Sequence, residues 1–156
     1  MSEANNTSVF VYNDGGREAA GYQGNAGDCV CRAIAIAAQL PYQQVYDRLA
    51  EGNLTQRKSK HDTEKRTRSA RNGINTDRVW FKAYMVELGF VWTPTMSIGS
   101  GCTVHLTAGE LPKGRLVCSV SRHHVAVIDG VINDNYDCSR DGMRCVYGYW
   151  TKFKIN

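Results

Sequence analysis

Apolar positions change their spacing along this chain. Before about residue 89 they recur mainly at helical intervals; from Arg115 onward they come in short β-type runs. Val9 to Tyr12 reads as a short strand closed by Asn13-Asp14-Gly15-Gly16, a strong turn signal. Cys29 to Leu40 predicts a helix, apolar nearly all round and rich in alanine, so it is expected inside the protein, with Asp28 placed to N-cap it. Pro41 suits the first turn of a second helix, Tyr42 to Ala50, ended by Gly52, with Val45 and Leu49 as a narrow apolar face. Asn75 or Thr76 can cap a third helix to about Leu88, where Val79, Ala83, Val86 and Trp80, Tyr84, Leu88 fall at helical spacing before Gly89.

Phe90 to Trp92 reads as a strand, Thr93 to Gly101 as a loop, and Thr103 to Leu106 as a short strand. Arg115 to Ser121, His123 to Ile128, Val131 to Asp134 and Cys145 to Trp150 then read as strands, with Asp129-Gly130 as a short hairpin turn. Helices followed by sheet predict an α+β fold, its helical layer packed on a C-terminal antiparallel sheet. The 156 residues show no repeat and no dividing linker, so one domain over residues 1–156 is expected. Residues 53–73 are polar and basic, and are expected as a mobile loop or exposed helix inserted in that domain.

Composition changes little: 42% hydrophobic and 22% charged residues are ordinary for a globular chain. The longest apolar run, around Ala33 to Leu40, is too short to cross a bilayer, and Met1 to Asn6 shows no signal-peptide pattern, which points to the cytoplasm. The six cysteines have irregular spacing without a CxxC pair, which favours ordinary thiols over disulfides or zinc. The net charge of +4 is concentrated in Arg57, Lys58, Lys60, Lys65, Arg66, Arg68 and Arg71, opposed only by Asp62 and Glu64. Such a run is usually a solvated face; its sharper reading is a contact for nucleic acid or an acidic partner. Trp80, Trp92 and Trp150 read as core or rim aromatics.

The candidate chemistry begins at Cys29. A thiol opening a helix feels the positive end of the backbone dipole, which favours thiolate. Gln23, six residues earlier, offers an amide for an oxyanion. A base must then come from His61, His105, His123 or His124. His61 sits in the polar segment and His105 reads as structural, which leaves the pair that opens a strand. With a two-residue Asp129-Gly130 turn, Ile128 pairs with Val131 and Asp134 shares a face with His123; a three-residue turn would give it to His124. Asn133, Asn135 and Asp137 are alternative orienting groups.

These residues resemble the papain-like cysteine peptidase clan: Gln23-x5-Cys29, Gly27 two before the cysteine, and His123-His124-Val125-Ala126. The Gln-x4-Asp-Cys form before an alanine-rich helix, and His-x-Val-x-Val with a later aspartate, are most similar to the leader-processing peptidases of bacteriocin exporters. The same runs resemble small uncharacterised papain-like proteins of bacteria and phages. The resemblance covers about residues 23–38 and 119–137. Val30 replaces papain's tryptophan, Asp28 sets a negative charge beside the thiol, and Cys31 is an additional thiol.

The resemblance implies a papain-like fold with the cysteine on a central buried helix. It implies Cys29 as nucleophile, His123 as base, Asp134 as orienting acid and Gln23 as oxyanion residue. The function expected is a cysteine-dependent peptidase, isopeptidase or amidase acting on a peptide or protein, with no cofactor or metal. The alternatives are an inactive papain-like binding module using the basic 57–71 segment and an accessory protein of a mobile element.

Overall fold

The computed structural model describes residues 9–24, 27–55 and 73–153. His61, the basic 57–71 segment, the first eight residues, and Asn25 and Ala26 lie outside the described residues. Among the described residues three helices and six strands follow one another: β1 (Val9–Tyr12), α1 (Cys29–Ala38), α2 (Tyr42–Thr55), α3 (Val79–Glu87), β2 (Phe90–Pro94), β3 (Arg115–Val120), β4 (His123–Ile128), β5 (Val131–Asp134) and β6 (Val146–Lys152). This is the α+β class expected. No helix among the described residues is long and apolar enough to cross a membrane.

The strands form one sheet in the order β1-β5-β4-β3-β6-β2. The expectation of an antiparallel C-terminal sheet needs correction. β1 enters from the N-terminal end and pairs parallel with β5, Val9 opposite Val131 and Tyr12 opposite Asp134, so the sheet is mixed. Spacing within one strand carries no information about the direction of its partner, and this pairing spans most of the chain. Thr103 to Leu106 is not a strand; only His105 bridges to Cys145. The hairpin turn has two residues, with Ile128 opposite Val131 and Val127 opposite Ile132. Asp129 and Gly130 both have positive φ, 48° and 83°, as a type I′ turn requires.

The sheet separates two apolar layers. On one face Val117, Ala126 and Trp150 pack with α1, α2 and α3. On the other, Leu116, Cys118, Val125, Val127 and Ile132 are covered by loop residues including Leu106, Leu111 and Cys138. With both faces covered, β3 and β4 carry near-continuous apolar runs, and α1 is buried from Val30 to Ala38. It ends at Ala38 because Gln39 turns left-handed at φ 56°.

Two other boundaries move for local reasons. Asn75 does not cap α3; its side-chain oxygen accepts from the Asp77 N–H at 3.0 Å, an Asx turn that delays the helix to Val79. α2 continues through Gly52 to Thr55. A Cβ on Gly52 would lie 2.2 Å from the Trp80 ring, so this glycine admits a tryptophan rather than ending a helix. The cysteines also need correction: Cys102 and Cys145, 43 residues apart, are joined in a disulfide, leaving Cys29, Cys31, Cys118 and Cys138 free. The bridge between His105 and Cys145 brings that loop to β6, a proximity invisible in cysteine spacing.

Candidate active site

Cys29 is the first residue of α1, and Asp28 holds the N-cap position. Asp28 does not cap with its side chain. Its buried carboxylate instead receives Arg17 Nε at 3.1 Å, Arg32 Nε at 3.0 Å and the Tyr42 hydroxyl at 2.6 Å. The expectation of a capping Asp28 is therefore corrected. Two guanidiniums compete for the carboxylate, and an opposite charge offsets an ion best when both are withdrawn from water. The first-turn N–H groups of α1 consequently have no carboxylate acceptor from the cap, and they have no intrahelical partner by construction.

Arg32, one turn along α1, links the helix to the sheet. Its Nη1 reaches Asp134 Oδ1 at 2.5 Å, while Asp134 Oδ2 meets His123 Nε2 at 2.6 Å. All three residues are buried. With Nε2 engaged, Nδ1 is the nitrogen left for a thiol. The structure thus joins His123, Asp134 and Arg32 in one buried network on the helix that the half-buried Cys29 opens, with Asp28, Arg17 and Tyr42 behind it. It does not bring in Gln23, which is exposed: its main-chain carbonyl accepts from Arg17 at 3.1 Å, and its amide has no hydrogen bond among the described residues.

Both histidines influence Cys29. Strand alternation sets His124 on the α1 face with Ala126, and His123 on the other face with Val125. At the first residues of β4, directly after the Arg122 turn (φ 57°), both imidazoles nevertheless act on the thiol and lower its pKa. The common face of His123 and Asp134 follows from the two-residue turn. Asn133 is bonded instead to Asn13 and to the Val131 carbonyl, and Asp137 to Ser139. His105 stands apart, its Nδ1 3.2 Å from Glu110.

The electrostatics favour an ion pair. Burial raises the Cys29 pKa, but the hydrogen bonds and charges of His123 and His124 outweigh it and bring the thiol down to about 6. For His123, burial opposes protonation, yet the hydrogen bond it donates to Asp134, and then the influence of Cys138 and Cys29, raise its pKa to about 11. Burial would raise Asp134, and the His123 bond and charge, then Arg32, hold it below its ordinary value. Cys31 moves the other way, raised by burial and by the nearby Asp28 charge. The cost that sequence assigns to Asp28 at Cys29 therefore falls on Cys31.

His123, Asp134 and Cys138 bring three potential metal-ligand atoms within 4.8 Å of one another. Both Asp134 oxygens are already taken, one by a buried guanidinium, which disfavours a further cation there. Beside His124 opens a cleft of about 440 Å³ lined by Thr76, Asp77, Lys82, Trp92, Ser119, Tyr147 and Trp150. Two tryptophans read as core or rim aromatics thus wall a cleft next to the site; Trp80 remains packed against Phe81.

Sequence reasoning missed Arg32, Tyr42 and Cys138. Arg32 left a signal, being the one charged residue in the helix Cys29–Ala38, and a buried arginine requires buried partners. No family model matches the chain, nor does any curated protein or solved structure.

Proposed function

We propose that this chain is a cysteine-dependent hydrolase of amide bonds, acting on a peptide or protein through Cys29, His123 and Asp134 in a papain-like arrangement. The observation that carries the reading is the buried His123–Asp134 pair at 2.6 Å, anchored by Arg32 one turn along the helix that Cys29 opens; in keeping with it, the Cys29 thiol is drawn down to about 6 and the His123 imidazolium up to about 11. Near neutral pH Cys29 and His123 then exist as thiolate and imidazolium, the reactive form of a cysteine nucleophile.

The Cys29 sulfur attacks the carbonyl carbon, and the carbonyl π-electrons move to oxygen. The oxyanion lies against the first-turn N–H groups of α1, which the Asp28 carboxylate has left open. His123 gives its proton to the leaving nitrogen as the C–N bond breaks, leaving a thioester on Cys29. Neutral His123 then takes a proton from water, whose oxygen attacks the thioester; the acid departs and the ion pair re-forms. Asp134 holds the imidazole orientation and stabilises its cation, with Arg32 fixing the carboxylate. Gln23, implied by the resemblance as a further oxyanion donor, would have to turn inward when substrate binds.

Alkylation with iodoacetamide, mapped by mass spectrometry between pH 5 and 9, tests the nucleophile. Cys29 is expected to react well before Cys31, Cys118 and Cys138, with a midpoint near pH 6. Labelling of Cys29 no faster than the buried thiols, or a midpoint near the ordinary thiol value of about 8.5, would refute the reading.

A further inference from the structure

The cleft beside His124 has a floor of small side chains and a wall of large ones. Sheet register explains both. His124 pairs with Ser119 on β3, Ser119 with Gly148 on β6, and Gly148 with Pro94 on β2. The next row on the same face runs Ala126, Val117, Trp150 and Trp92. The first row therefore leads away from His124 across Ser119 and Gly148, where the sheet carries almost no side chain. The second row supplies two indoles, whose ring centres lie 5.2 Å apart.

Gly148 makes the arrangement possible. A Cβ there would stand 2.3 Å from Trp92 Cζ2 and 2.4 Å from Cη2, so Trp92 lies against bare backbone, tipped toward the floor. Trp92 and Tyr147 are each 40% exposed, so part of each ring faces the cleft and is open to a guest. Thr76, Asp77 and Lys82 give the far rim polar groups. From His124 to Gly148 is two strand spacings, roughly 10 Å. An extended peptide advances about 3.3 Å per residue, so two residues from the attacked bond cover roughly 7 Å and the length of an aromatic side chain spans the rest.

We propose that this cleft is the specificity subsite of the chain, receiving an aromatic side chain of a peptide within two residues of the bond cleaved. The inference rests on the hydrolase reading for its role in cleavage, and on the cleft alone for its ligand. An aromatic guest meets Trp92 and Trp150 at ring-to-ring distance, while the short side chain of Ser119 admits its backbone between His124 and the Trp92 ring that covers Gly148. Trp92 is the specificity-determining residue and Gly148 positions it.

The test is binding of two probes, N-acetyl-Gly-Phe-Gly-amide and N-acetyl-Gly-Ala-Gly-amide, followed through tryptophan indole N–H signals in NMR. The phenylalanine probe is expected to bind about tenfold tighter, the scale of one ring pair plus its buried area. That ratio is expected to fall toward one in Trp92→Ala, and also in Gly148→Ala, which keeps the indole but displaces it. Equal affinity for both probes, or a ratio unchanged in Trp92→Ala, overturns the proposal. The two readings fail separately. If Cys29 does not react preferentially with iodoacetamide while the phenylalanine preference persists, the hydrolase falls and the aromatic peptide cleft stands.

Discussion

Replacing Arg32 with methionine removes the cation that Asp28 and Asp134 share while keeping much of the side chain's bulk. The Arg32 side chain is only 6% exposed, and both carboxylates are 2% exposed. Breaking a buried ion pair by deleting one partner typically costs about 3–5 kcal/mol. Asp28 keeps Arg17 and Tyr42, and Asp134 keeps His123, which sets the expected loss at the lower end, about 3 kcal/mol. A domain has about 5–15 kcal/mol in total, so most of the protein still folds at room temperature. For a chain of this length each kcal/mol moves Tm by about 2–4 °C, so Tm is expected to fall by roughly 6–12 °C.

The same reasoning fixes a pH signature. The folded Asp134 pKa is lowered, so its contribution to stability is present above its unfolded value, about 3.9, and is lost as pH falls through the folded one. Without Arg32 the Asp134 carboxylate takes up a proton at higher pH, and protonation relieves the uncompensated charge. The Tm difference between native and Arg32→Met proteins should therefore narrow from pH 7 to pH 4 in scanning calorimetry. A loss under about 2 °C at pH 7, or a gap no smaller at pH 4, would show that Arg32 is not the cation holding these carboxylates.

Two further outcomes follow from neighbouring contacts. Asp134→Asn removes the charge that holds His123 protonated, so the His123 pKa should fall and the Cys29 pKa rise. The midpoint of iodoacetamide alkylation should then move above pH 6 by at least one unit, and an unmoved midpoint would contradict the coupling. Gly52→Ala should destabilise the protein in urea by about 1–2 kcal/mol net, because crowding against Trp80, toward the upper end of the usual cost of about 1–3 kcal/mol, exceeds the helix-propensity gain of up to about 1 kcal/mol; a more stable variant would refute that contact.

Much of the local structure was legible from spacing. The buried helix at Cys29, the strands from Arg115 onward and the two-residue turn at Asp129-Gly130 all follow from periodicity and turn chemistry. That turn also carried information beyond its own residues, since it decided by parity that Asp134 shares a face with His123. The same alternation was a poor guide to which histidine meets Cys29. A strand's first residues lie at its end, where groups from both faces act on a thiol at the helix N-terminus, and both imidazoles lower the Cys29 pKa.

What the chain by itself determined is the set of groups and their local frames: a thiol opening an apolar helix, two histidines opening a strand, and a carboxylate returned by a tight turn. Only the tertiary structure decided how their charges are arranged. Asp28 looked like a handicap to Cys29 because sequence shows adjacency and not direction; folded, its carboxylate turns to Arg17, Arg32 and Tyr42 and acts on Cys31. The parallel β1–β5 pair, the Cys102–Cys145 bridge and the Trp92 cleft share that origin, since each joins residues tens of positions apart or more. Periodicity reports which face of an element is buried, whereas partners, direction and shared charge depend on which elements meet.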